Sequence, residues 1–386
     1  MQKTKSENNI SIINSNVFFK EFTFSKNDFK DLDTNQKLEF ADNVVWLDDI
    51  LFIIQIKDKE GENGNEKKWF ENKILKKAVL QIKSTLNYLE SYNEISIQNE
   101  KGHFLNIVNA QNCKTKRKII IYDSHKSFPE DLRQKKFYQS SKIGLVHLFH
   151  AEDYYWICKF LITPAEIDEY LEFREQYFLE NTELSIQLPE QYFLAHFFET
   201  LETNHYEPRY ILKLKEQTIN SEEFSIKFLI DVFSNKITMT KHQTEYYEII
   251  KEIAKLNRTE LYEFRIRFLK MIEKCDDKNI ITPFRIHVPR TDCAFVFIPF
   301  KTYLSKYWEN ALNNFLLAHK YDQKATKCVG VIAYRDNKDS SFYQVFWSYI
   351  NEKWSYDENI ETLLSDNNPF REVKTKVIEN RYQNSL

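Results

Sequence analysis

The sequence predicts an α/β protein: an N-terminal αβ core with a mixed sheet, a mainly helical middle region and a small α+β C-terminal unit. Three observations predict it. Two apolar runs between Asn43 and Lys57 precede a stretch from Lys68 to about Glu90 in which Trp69, Phe70, Ile74, Leu75, Val79, Ile82, Leu86 and Leu89 recur at helical spacing. Residues 186–276 are patterned as amphipathic helices at 189–202, 222–233, 243–256 and 258–274. Residues 280–350 then return to strand-like runs at 284–288, 293–299, 328–334 and 341–348 around a helix at 301–319. A chain of 386 residues can build two or three cores, and the pattern places domains at 16–160, 161–276 and 277–370.

Taken in order, residues 1–15 are polar and Asn/Ser/Lys-rich and read as a frayed lead-in. The charged segment 58–68, DKEGENGNEKK, is a loop before the first long helix. Strand candidates follow at 94–98, 104–108, 118–122 and 143–149. At LITPAE, Thr163 is a natural N-cap, Pro164 suits the first helical position and Glu166 stands three residues after the cap, together a good helix-start signal. A charged tail from about residue 370 looks dispensable.

Composition excludes several classes. Five glycines, at 61, 64, 102, 144 and 330, form neither GxxxxGK nor GxGxxG, so a phosphate-cradling loop is not expected. The five cysteines are odd in number, widely spaced and without a CxxC pair, which argues for reduced, buried thiols. Charge is nearly balanced, with 54 Lys+Arg against 57 Asp+Glu, so a polyanion would need a local basic patch. The N-terminus lacks a signal-peptide core, and no run approaches the ~18 apolar residues of a membrane span. A soluble cytoplasmic protein with no membrane partner is expected.

Chemistry gathers in ADNVVWLDDILFIIQIKDKE, residues 41–60. If the two runs form a hairpin turning at Asp48 and Asp49, paired positions sum to 97 and Asp42 faces Gln55. With alternating side chains, 42, 44 and 46 then share a face with 51, 53, 55 and 57, so Asp42, Gln55 and Lys57 converge at one end of an otherwise apolar face. Asp-Asp is a weaker turn signal than Asn-Gly, which leaves a register one residue off as the alternative. An acid, an amide and an amine buried together must satisfy one another or hold something. One solution is an Asp42–Lys57 ion pair bridged by Gln55. The other is a hard cation, Mg²⁺ or Mn²⁺, held by the Asp42 carboxylate, the Gln55 amide oxygen and the Ile56 carbonyl.

The pattern EFADNVVWLDDILFIIQIK, an acid opening one strand and Gln-x-Lys closing the next, resembles the active-site hairpin of the PD-(D/E)XK nuclease superfamily, the restriction-endonuclease-like fold. It is most similar to members, such as Mrr-like nucleases, in which Gln replaces the usual Glu. The resemblance implies Mg²⁺-dependent or Mn²⁺-dependent hydrolysis of phosphodiester bonds, DNA being the expected partner, with Asp42, Gln55 and Lys57 as catalytic residues. A further acid usually comes from an element before the hairpin. Glu39 is the favoured candidate, because a neutral Gln55 leaves the cation one negative charge short, and Glu21 is the fallback. Glu39 has the opposite strand parity to Asp42, so it reaches the site only if the chain bends between them. In such a nuclease Lys68, Lys73, Lys76 and Lys77, with Lys67 and Lys83, would grip the nucleic-acid backbone; an ordinary solvated helix face is the other account of them. The combination would suit defence against foreign DNA. A protein that keeps this fold without catalysis, binding nucleic acid or a protein partner, is the competing class.

Other clusters are weaker. His147 and His150 in HLFHAED, with Glu152 and Asp153 beside them, invite a metal, but on a strand the two imidazoles point to opposite faces. His196 and His205 sit in aromatic-rich helical sequence and suit a core. Arg285, His287 and Arg290 in FRIHVPR could contact an anion or simply charge a strand edge. The C-terminal half is expected to serve recognition of a substrate, a protein partner or a second copy.

Overall fold

The computed structural model describes residues 3–31, 34–59, 61, 65–216, 242–277, 279, 282–336, 342–372 and 374. It is a mixed α/β structure in two compact units, Met1–Ile219 and Asn220–Leu386. Helices expected across 161–276 are thereby divided between the units, and the segment at 222–233 lies outside the described residues.

The first unit begins with helix α1, Lys5–Val17, where a frayed lead-in was expected. The signal was Thr4-x-x-Glu7: the Thr4 hydroxyl accepts from the Glu7 N–H at 3.3 Å, and Glu7 Oε2 accepts from the Thr4 N–H at 2.8 Å. A narrow stripe with Ile10 and Asn14 faces inward. Strand β1 (Thr23–Lys26) follows, then a small hairpin of β2 (Asp28–Lys30) and β3 (Lys37–Glu39), too short to read from periodicity. Strands β4 (Asn43–Leu47) and β5 (Ile50–Asp58) pair antiparallel, Asn43 with Ile54 through Leu47 with Ile50, in the register summing to 97. Asp48 makes the turn possible by adopting φ 51°, a left-handed conformation that Asp tolerates better than most side chains.

After β5 comes helix α2, α-helical at Glu66–Trp69 and Val79–Ser91 and wound more widely, with i→i+5 bonds, over Phe70–Ala78. In the wide stretch Phe70, Ile74 and Ala78 are buried at four-residue intervals, against the face that carries Val44, Leu51 and Ile53. Strands β6 (Ser96–Asn99) and β7 (Phe104–Asn106) form one margin of the sheet. Strand β8 (Thr115–Asp123) lies parallel to β5, β9 (Phe137–Ser140) forms the opposite margin, and β10 (Gly144–His150) lies parallel to β8. Among the described residues the order is β7-β6-β1-β4-β5-β8-β10-β9, with β4 and β5 at the centre.

Helices α3 (Ala151–Phe160), α4 (Pro164–Glu180) and α5 (Glu190–Glu199) follow in this unit, with short helices at Glu130–Arg133, Thr182–Gln187 and Tyr210–Glu216. The α4 start is the expected one: the Thr163 hydroxyl accepts from the Glu166 N–H at 3.2 Å. On α4 the fully buried Arg174 was not anticipated. Its guanidinium donates to Glu190 Oε1 at 2.7 Å and Oε2 at 2.9 Å and to the Leu148 carbonyl at 3.1 Å, between the rings of Phe137 and Phe149. Burial would raise the Glu190 carboxyl, but the charge and hydrogen bonds of Arg174 outweigh it and hold the acid below its ordinary value.

In the second unit, helices α6 (Tyr247–Ala254) and α7 (Arg258–Lys274) precede strands β11 (Phe284–Val288) and β12 (Cys293–Pro299), helix α8 (Trp308–Asp322), strands β13 (Lys327–Arg335) and β14 (Tyr343–Asn351) and helix α9 (Glu358–Asp366). The sheet order is β11-β12-β13-β14, and only β12 and β13 are parallel. Phe264 of α7 packs edge-on against Phe295 and Phe297 on one face, while Leu312 and Leu316 of α8 cover the other. Gly330 permits that close approach, since a Cβ there would meet Leu312 Cδ1 at 2.9 Å. No helix among the described residues is long and apolar enough to cross a membrane.

The Arg174 node sets a stability test for the first unit. Arg174→Ala leaves Glu190 buried without its partner and is expected to cost about 3–5 kcal/mol in urea denaturation. Arg174→Met with Glu190→Leu should recover most of that loss; a single variant as stable as the parent counts against the node.

Candidate functional site

The three residues singled out at the hairpin's open end come together. Lys57 Nζ lies 2.7 Å from Asp42 Oδ2, 3.1 Å from Gln55 Oε1 and 2.9 Å from the Ile56 carbonyl oxygen. All three ammonium protons therefore have an oxygen acceptor. Asp42 Oδ2 also accepts from the Ile56 N–H at 2.6 Å, which fixes the carboxylate across the strand pair. The Asp42 and Lys57 side chains are 6% and 14% exposed, so the pair is largely withdrawn from water.

The chain bends where Glu39 needs it to. Glu39 ends β3, which pairs with β2, whereas β4 belongs to the large sheet, so residues 40–42 carry the chain from one sheet to the other. Asn27 holds the bend by donating its side-chain amide to the Ala41 carbonyl at 2.8 Å, and the Thr85 hydroxyl of α2 donates to the Phe40 carbonyl. Glu39 stays outside the hydrogen-bonded cluster and is exposed overall. Partial desolvation pushes its carboxyl pKa up, and the charges of Asp42, Asp28 and Glu7 push it further against the pull of Lys57. Glu21 is placed elsewhere. In the β1–β4 register Thr23 pairs with Val45 and Phe24 with Val44, which sets Glu21 level with Leu47, at the far end of β4 from Asp42, and it pairs with Lys101 at 3.8 Å. Glu7, on the helix before the sheet, is the acid that sequence reasoning missed; its capping motif was the available signal.

The oxygens around Lys57 are the hard donors named for a cation, and the ammonium among them is a built-in stand-in for one. In kind, the donor set fits Mg²⁺ or Mn²⁺: one carboxylate, one amide oxygen and one backbone carbonyl, with Glu39 beside them. Among the described residues no group of three His, Cys, Asp or Glu is placed to hold a metal ion. A cation here would thus depend on the neutral oxygens and take the place of the Lys57 ammonium.

On α2, Lys67, Lys68, Lys73, Lys76 and Lys77 are exposed and Lys83 is half-buried, while Phe70, Ile74 and Ile82 face inward. The lysines form a solvent-facing surface rather than part of the Asp42 cluster. His147 and His150 do not meet. The His147 ring faces Arg174 at 3.2 Å, while His150 caps α3, accepting from the Glu152 N–H, and its other nitrogen lies 3.2 Å from the Ser124 hydroxyl. Glu152 is engaged by Arg133 at 2.5 Å, and burial pushes Asp153 up to about 6. His196 is buried and bonds the Glu207 N–H; His205 stays partly exposed. Arg290 pairs with Glu260 at 2.6 Å.

The electrostatic coupling of Glu39 to the cluster is measurable. In a carboxyl-detected NMR titration, Asp42→Asn should lower the Glu39 pKa and Lys57→Met should raise it. A Glu39 midpoint that ignores Asp42→Asn contradicts the juxtaposition. In comparisons with known proteins, no family model matches the chain, and neither a curated protein nor a solved structure shows significant similarity to it.

Proposed function

We propose that the first unit is a metal-dependent nuclease of the restriction-endonuclease-like kind, acting on phosphodiester bonds in nucleic acid, with DNA the expected substrate. The observation that carries the reading is the convergence of Asp42 Oδ2, Gln55 Oε1 and the Ile56 carbonyl on one cationic point, with Lys57 at that point. The element order supports it: a leading helix, the antiparallel β1-β4-β5 meander, helix α2, then β8 parallel to β5. A Mg²⁺ or Mn²⁺ ion held by Asp42, Gln55 and Ile56, with Glu39 contributing charge, would neutralise the scissile phosphate. Asp42 anchors the site through the Ile56 N–H. Lys57, released from the oxygens, orients a water or pairs with the phosphate. The exposed lysines of α2 supply sequence-independent backbone contacts.

A specific observation favours a second reading. The Lys57 ammonium is already saturated with acceptors, and Gln55 brings no charge, so the cluster is complete as an ion pair. In that case the unit binds nucleic acid or a partner without cutting.

Incubation with plasmid, single-stranded DNA and RNA, with Mg²⁺, Mn²⁺ or chelator, separates the two. Metal-dependent cleavage that falls by about 10²-fold or more in both Asp42→Ala and Lys57→Ala, each shown to be folded by circular dichroism, is expected. Cleavage unchanged by either substitution rules out this site. Retention of DNA without cleavage in any metal selects the second reading.

A further inference from the structure

The second unit contains a cavity of about 960 Å³ that passes round the free edge of β11, between α7 and the C-terminal end of α8. That volume lies within the range of small-molecule sites. Its lining includes the whole strand, Phe284 to Val288, with Thr259 of α7, His319 of α8, and Arg371 and Lys374.

Four buried polar atoms of these lining residues have no partner among the described residues: Arg285 Nε, His287 Nε2, His319 Nδ1 and Thr259 Oγ1. Thr259 and His319 are 4% and 0% exposed. An orphaned buried polar group costs about 1–3 kcal/mol, and these four gather around one cavity, whereas others are scattered through the first unit. The rest of the Arg285 guanidinium is fixed: one terminal nitrogen donates to Asp322, the other donates to the Arg371 carbonyl at 2.6 Å, and the plane stacks on Phe370. Its Nε–H can only donate. The neutral imidazole of His287 can present Nε2 as a donor by choice of tautomer. The His319 ring, kept neutral by burial, donates from Nε2 to the Ile286 carbonyl at 3.4 Å, so its Nδ1 presents a lone pair and accepts. Of the lining acids, Glu263 is bonded to Arg267 and Glu260 to Arg290, which leaves Arg371 and Lys374 facing Glu372. The cavity thus offers donors and a small excess of positive charge, with Phe284, Ile286 and Val288 as apolar wall.

We propose that this cavity binds a small organic phosphate, its oxygens accepting from Arg285 and His287, its P–OH donating to His319 Nδ1, and its body lying against the apolar side chains of β11. Two donors and one acceptor suit a monoprotonated phosphate, which can both accept and donate, better than a carboxylate with no proton to give. The site shares no residue with the Asp42 cluster and stands whether or not the first unit cuts nucleic acid.

Phenyl phosphate is the minimal probe, titrated calorimetrically into the full chain in chelator. Saturable binding is expected, with inorganic phosphate weaker and phenol not detectable. His287→Ala, on a half-exposed edge strand that tolerates truncation, and Arg285→Gln should each weaken phenyl phosphate by about tenfold or more. Asp42→Ala should leave it unchanged. The proposal is overturned by the lack of saturable binding, by binding undiminished in His287→Ala, or by phenol binding as tightly as phenyl phosphate.

Discussion

The first unit depends on the burial of one strand. β5 is hydrogen-bonded on both sides, to β4 and to β8, and residues 51–56 are buried, so polar groups near its end cannot turn freely to water. Gln55 and Lys57 therefore have to be satisfied by the protein, and the partner across the hairpin is Asp42. A one-residue slip would carry Gln55 and Lys57 to the face of Phe52, Ile54 and Ile56, separating them from the acid. Register, core packing and the polar cluster are one constraint: the apolar faces choose the pairing, and the pairing assembles the charges.

This explains which parts of the protein were legible in the sequence. The β4–β5 hairpin was readable because its apolar positions alternate on a strict period of two, and α7 because its apolar positions follow the helical one; both appear at or near their expected limits. Thr163 announced α4 through a side chain whose bonding geometry is local. Helix α1 was not recognised because most of its surface is polar, its inward stripe being narrow. The β2–β3 hairpin has three residues per strand, too few to show a period. Arg174 and Glu190 were invisible for a different reason: sixteen positions apart on separate helices, they meet only through tertiary packing. Of the candidate site, the spacing supplied Asp42, Gln55 and Lys57. The placing of Glu39 and Glu7 depends on the sheet change at 40–42 and on the docking of α1, neither of which has a sequence period.

Two charged clusters of the first unit and the β11 cavity of the second handle buried polarity in contrasting ways. In the first, charged groups are closed into saturated clusters, Lys57 with its oxygens and Arg174 with Glu190. In the second, Arg285, His287 and His319 retain unmatched nitrogens beside a cavity. Saturation favours rigidity, while unmatched polar groups store a cost that an incoming ligand relieves. On physical grounds, then, the cavity beside β11 is suited to respond to a small ligand, and the Asp42–Lys57 cluster to hold a fixed geometry at its hairpin.

The five cysteines, all buried with free thiols, give the molecule a built-in record of its own opening. Burial pushes Cys113 up to about 11 and Cys158 up to about 12 in the first unit, and Cys275 up to about 11 in the second, so little thiolate forms at neutral pH while the chain is folded. Alkylation then proceeds only through molecules that have exposed the surrounding core. Because Cys113 and Cys158 report on one unit and Cys275, Cys293 and Cys328 on the other, the order in which they are modified distinguishes separate unfolding of the units from a single concerted event.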